Sequence, residues 1–183
     1  QHENSNPAHS TGWVFYLRLA PREILRKNML RMAGFFAAGL FAREHDMTYE
    51  LDQFIADCRN SLKRDPGPGG REQVRANLEK LLSNKDFVET YCGDNAERGL
   101  KVLYEDPDLK FQVLAHINDK ARVSPPHDHG ESWAIYGQAK LWTDMIEWKR
   151  EDDGKDPKHA KLTPKKKYRL TPGQAGIYQD GAI

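Results

Sequence analysis

His127 and His129 are separated by one residue in the stretch Pro125, Pro126, His127, Asp128, His129, Gly130, Glu131, Ser132, Trp133. Neutral imidazole is a ligand for iron, zinc, copper and nickel, and two imidazoles that reach one point are half of a metal site. Residues i and i+2 of a β-strand share a face, so this spacing predicts convergence where a strand begins. The β-formers Trp133, Ala134, Ile135 and Tyr136 follow the pair, then a turn expected at Gly137 and an alternating segment from Lys140 to Trp148. The chain holds seven histidines, and a chance surface pair is the competing reading; the strand-start context favours metal.

The elements that must position the pair divide into a helical and a β-rich part. From Thr48 the apolar residues Leu51, Phe54, Ile55, Cys58 and Leu62 recur at helical spacing, until Pro66, Gly67, Pro68, Gly69 and Gly70 interrupt them. A second helix carries Val74, Leu78, Leu81 and Leu82, and Ser83 or Asn84 caps a third through Phe87 and Val88. Beyond Gly93 and Gly99 the period becomes two: Phe111, Val113, Ala115 and Ile117 take one side of a strand, Gln112, Leu114 and His116 the other. After the pair come a strand through Trp142, Asp144, Ile146 and Trp148, a charged surface loop from Lys149 to Lys161, and strands through Tyr168, Leu170, Ile177 and Tyr178 around Pro172 and Gly173. Short strands after a helical cap predict a mainly β fold, an antiparallel barrel or jelly roll. The expected division is residues 1–46 as an N-terminal extension of uncertain order, 47–98 as the helical cap and 99–183 as the barrel, with a start at Met47 conceivable.

Composition narrows the partners. With 183 residues and 38% hydrophobic content the chain can bury one core, and a net charge of +1 offers no electrostatic attraction to nucleic acid or membrane. The local run Lys165, Lys166, Lys167 reads as a solvated edge. The apolar stretch from Met32 to Ala42 is too short to span a bilayer as a helix. Cys58 and Cys92 do not make a disulfide framework, which points to a reducing cytoplasm.

His127-Asp128-His129 together with Pro172-Gly173-Gln174-Ala175-Gly176-Ile177-Tyr178 resembles the two motifs of the cupins, small β-barrels that hold a metal in their mouth. Where many cupins carry a glutamate after the second histidine, this chain has Trp133 and Ala134, which makes it similar to the three-histidine thiol dioxygenases related to cysteine dioxygenase. Lys110 and Phe111 precede His127 at the interval found in that subfamily. The resemblance covers residues 48–183 and implies a cupin-type double-stranded β-helix, Fe(II) held by His127 and His129, and oxidation of a small thiol by dioxygen to its sulfinate. It places Lys101 where the family grips the substrate carboxylate with arginine, His116 in the pocket lining, and Ala134 where the family's crosslinking cysteine stands. Tyr136 and Tyr178 are candidate hydrogen-bond donors to substrate. The resemblance puts the third histidine just beyond Ile183, with the closing strands; His116, Asp180 and Glu131 are the alternatives within the chain. A different metal-dependent cupin reaction, and a cupin module that binds a small molecule without turnover, are the competing functions.

Overall fold

The computed structural model describes residues 10–19, 48–118, 123–156 and 159–183. Its elements run β1 (Ser10–Leu19), α1 (Leu51–Arg64), α2 (Pro68–Leu82), α3 (Lys85–Cys92), β2 (Gly99–Glu105), β3 (Phe111–Ile117), β4 (Ala134–Arg150), β5 (Leu162–Leu170) and β6 (Ala175–Tyr178). All six strands join one antiparallel sheet in the order β2-β3-β1-β4-β5, with β6 also paired to β4. Among the described residues the protein is thus mainly β with three helices, and the sheet does not close into a barrel.

Alternation in the strands explains which face the helices cover. Phe15 and Leu17 of β1, Phe111, Val113, Ala115 and Ile117 of β3 and Ile135 of β4 point to one side. There they meet Phe54, Cys58 and Leu62 of α1, Val74, Leu78, Leu81 and Leu82 of α2, and Phe87 and Cys92 of α3 in one core. The helices form at the positions their stripes predict. Pro68 opens α2 at a position where its missing N–H costs nothing, and the Asn84 side chain caps α3 by accepting from the Phe87 N–H at 3.0 Å. Asn84 also donates to the Tyr49 carbonyl at 3.1 Å, so the cap is tied to the segment entering α1.

Ser10–Leu19, assigned to an extension, is an interior strand of the sheet, paired to β3 on one edge and β4 on the other. Its alternation of Phe15 and Leu17 with Val14, Tyr16 and Arg18 suits a strand with two different faces. Consequently the chain's first described element is a strand, and the helices are an insertion between β1 and β2. The stretch Met32–Ala42 lies outside the described residues, as does Met47; among those described, no helix is long and apolar enough to cross a membrane.

Gly137, expected as a turn, lies inside β4. A Cβ there would stand 2.6 Å from Leu82 Cδ1 and 2.7 Å from Leu78 Cδ2, so glycine lets α2 press against the strand. Gly137→Val is expected to cost about 2 kcal/mol by overpacking this contact, read as a lower urea midpoint at unchanged slope; an unchanged midpoint would mean that α2 does not pack there.

The opposite face carries Tyr16 and Arg18 of β1, Gln112, Leu114 and His116 of β3, Ala134 and Tyr136 of β4 and Tyr178 of β6, as the pairing registers require. Among the described residues no helix lies on it, yet Leu114 is fully buried and Tyr178 is 8% exposed. Curling of the sheet accounts for this. β5 and β6 run along the same edge of β4, and Leu141, between their two pairing segments, takes a left-handed backbone with φ 61°. The register against β1 also slips beside it, between Trp13 and Val14. The hydroxyls of Tyr168 and Tyr178, ten residues apart on strands that share that edge, therefore meet. Ten extended residues would span roughly 33 Å, so the sheet folds toward its helix-free face there.

Candidate metal centre

The pair does not begin a strand: residues 123–129 belong to no helix or strand, a turn follows at Gly130, and β4 starts only at Ala134. Pro125 and Pro126 withhold two backbone donors from any ladder. The Asp128 carboxylate accepts the Gly130 N–H at 2.8 Å, and Gly130 adopts φ 60°, a turn that glycine accommodates without strain. Even so the rings come together. The centres of His127 and His129 lie 5.4 Å apart with the planes at 82°.

Each imidazole has a defined partner. His127 Nδ1 lies 3.0 Å from the Pro125 carbonyl, an acceptor only, so Nδ1 is the donor and a metal would be met by Nε2. That arrangement, with the far ring nitrogen tied to a carbonyl, is the usual support of a metal-bound histidine. His129 Nε2 lies 3.2 Å from the Tyr136 hydroxyl. Burial pushes the His129 pKa below its ordinary value, the charges of His127 and Arg18 push in the same direction, and Asp128 only partly opposes them. These effects favour the neutral imidazole, which shares one hydrogen with the phenol oxygen.

The loop is braced from behind. Ser132 N–H donates to the His129 carbonyl at 3.0 Å, and Gly181 N–H donates to the Gly130 carbonyl at 3.0 Å. Arg71 of α2 lies over the buried Trp133 ring at 5.7 Å and donates at 2.7 Å to both Gln179 and Asp180. The tail that reaches Gly130 is thereby fixed to a helix.

Tyr136 is the first contact of the pair within the sheet, with ring centres 5.9 Å from His129. It packs on Tyr16 at 5.2 Å and edge-on against Tyr178 at 5.3 Å. Burial and the neighbouring Tyr16 raise its pKa to about 12 despite the lowering effect of Arg18. Tyr178 is raised further, first by burial and then by Tyr168. Its hydroxyl engages Tyr168, so it serves as a wall of the aromatic cluster. His116 lies one ring further out, edge-on to Tyr16 at 6.3 Å.

Lys101 is placed apart. Its Cα pairs with that of Ala115, a residue of the helix-covered side, and its side chain is exposed. Among the described residues, the cation whose charge acts on both His129 and Tyr136 is Arg18. Arg18 Nε is 3.3 Å from Gln112 Oε1, and among the described residues the guanidinium makes no ion pair. The alternating run Val14 to Arg18 was the signal that could have identified it.

Of the in-chain alternatives for a third ligand, Asp180 pairs with Arg71 and Glu131 is exposed. Among the described residues no three side chains of His, Cys, Asp or Glu converge. A polar cleft of about 390 Å3 lies elsewhere, between α2 and β5–β6; it touches the aromatic cluster only at Tyr168 and Gly176, and its Arg75 is paired with Glu72 and Glu79. No protein-family model matches the chain, and no curated protein or solved structure is similar to it.

Proposed function

We propose that the loop bearing His127 and His129 is an iron centre and that the protein is a non-haem dioxygenase converting a small thiol to its sulfinate, similar in chemistry to cysteine dioxygenase. The observation that carries this reading is the perpendicular approach of two imidazoles, one of them held through its Nδ1 by the Pro125 carbonyl. The donor set fits iron, which accepts imidazole and leaves further positions open. Ferrous iron held there would acidify a bound thiol and supply the electron transfers by which both oxygen atoms of O2 add to sulfur, RSH + O2 giving RSO2H.

The chain's own residues do the rest. Arg18 orients an anionic group of the substrate, the role the resemblance assigned to Lys101, and a guanidinium can grip a carboxylate through two hydrogen bonds where an ammonium cannot. Tyr16, Tyr136 and Tyr178 form an aromatic wall that excludes water from one side of the pair. The curled sheet is consistent with the metal-bearing part of a cupin-type roll, and two free, buried cysteines fit a reducing cytoplasm.

Purified protein is expected to hold stoichiometric iron and to consume oxygen in the presence of small thiols. In the His127→Ala, His129→Ala double variant both should be lost. A protein whose iron survives the double substitution, or one that stays metal-free on iron addition, would end this reading.

A further inference from the structure

We propose that Tyr136 is the third protein ligand of this centre and binds the metal as phenolate; the proposal rests on the reading of His127 and His129 as metal ligands. Its hydroxyl is 3.2 Å from His129 Nε2. Two donors that each sit about 2 Å from one metal, at angles between octahedral and tetrahedral, stand roughly 3 Å apart. The oxygen and the nitrogen already have that spacing, so a metal could replace the hydrogen between them with little movement. Ring centres of two imidazoles on one metal stand roughly 5 Å apart by the same construction, against 5.4 Å between His127 and His129.

Among the described residues, the other donors near the pair are engaged elsewhere or stand off. Asp128 accepts from Gly130, Asp180 is paired with Arg71, and His116 is separated from His129 by the rings of Tyr16 and Tyr136. Tyr136, by contrast, is held on target. Its ring is flanked by Tyr16 and by Tyr178, and the Tyr178 hydroxyl is in turn engaged by Tyr168. A side chain locked this way loses little rotamer freedom on ligation.

On binding, the phenol O–H bond breaks heterolytically, the oxygen keeps the electron pair and donates it to the metal, and the proton passes to solvent with no change of oxidation state. Two imidazoles and one anionic oxygen then match the charge of the two-histidine, one-carboxylate set of non-haem iron enzymes. The anion would come from a strand of the sheet.

Ferric iron is the probe, because ferric phenolate absorbs in the visible and gives phenolate modes in resonance Raman spectra. The full chain titrated with ferric iron should develop that band in proportion to bound iron. Tyr136→Phe should lose the band and bind iron at least tenfold more weakly, whereas Tyr168→Phe should keep it. Iron bound to the native protein without phenolate modes would overturn the proposal while leaving the histidine reading intact, and needs no variant to fold. A band that persists in Tyr136→Phe would overturn it equally. Failure of the native protein to bind iron would remove this proposal together with the histidine reading.

Discussion

Replacement of Arg18 by glutamine is expected to raise the KM for thiols that carry a carboxylate by about 30-fold, the loss of a charge-assisted contact of about 2 kcal/mol. Uncharged thiols should keep their KM, and kcat should hold for both. The argument is one of placement. Among the described residues Arg18 is the cation whose charge reaches both His129 and Tyr136, and it comes from a strand paired on both edges, which fixes its backbone. Glutamine preserves the length of the stem and the contact with Gln112, so a structural role would affect both substrate classes alike. Arg18→Lys should recover part of the loss, since it restores the charge but not the fork. An equal rise in KM for charged and uncharged thiols would remove Arg18 from substrate binding, and Lys101→Gln in parallel tests the residue that resemblance alone suggested.

The contrast between Arg18 and Lys101 shows what the amino-acid sequence could and could not convey. Local periodicity made α1, α2, α3 and β3 legible, because each buries a stripe against one core and the stripe is written at that element's own period. His127 and His129 were legible as a pair because their chemistry is short-range in sequence. Which cation stands beside them is set by strand order. β1 inserts between β3 and β4 across a sequence separation of about a hundred residues, and nothing local to Val14–Arg18 encodes that partner choice. Gly137 illustrates the same limit. Glycine inside a strand reads as a turn until α2 is seen to press against it. The pair's loop departs from a strand start for a different reason: the prolines and the Asp128–Gly130 turn govern the backbone there more strongly than the β-formers beginning at Trp133.

Asp106→Ala is expected to lower stability by about 3 kcal/mol, from partners left unsatisfied at a fully buried carboxylate. One carboxylate oxygen accepts from the Asp108 N–H at 2.9 Å and the Leu109 N–H at 2.6 Å; the other takes the Tyr104 hydroxyl at 3.1 Å and the guanidinium of Arg59. The turn between β2 and β3 is closed by this residue, since its own N–H donates to the Phe111 carbonyl at 2.8 Å and its carbonyl accepts from Lys110. Arg59 belongs to α1, so the same carboxylate joins the helical layer to the sheet. Burial favours the neutral acid, but the backbone donors of Leu109 and Asp108, the Tyr104 hydroxyl and Arg59 together outweigh it, and the pKa lies below its ordinary value of 3.8. A carboxylate with a depressed folded pKa stabilises the fold fully above the unfolded value, and that contribution is lost as pH falls through the folded value. Urea denaturation at a series of pH values should therefore show native stability declining below about pH 4, with part of that slope absent in Asp106→Asn. An identical acid slope in the two proteins would mean that Asp106 is not held as the anion. Loss of the bond to Arg59 should also loosen α1 from the β2–β3 hairpin, read as faster amide exchange at Leu109 and along α1 in Asp106→Asn than in the native chain.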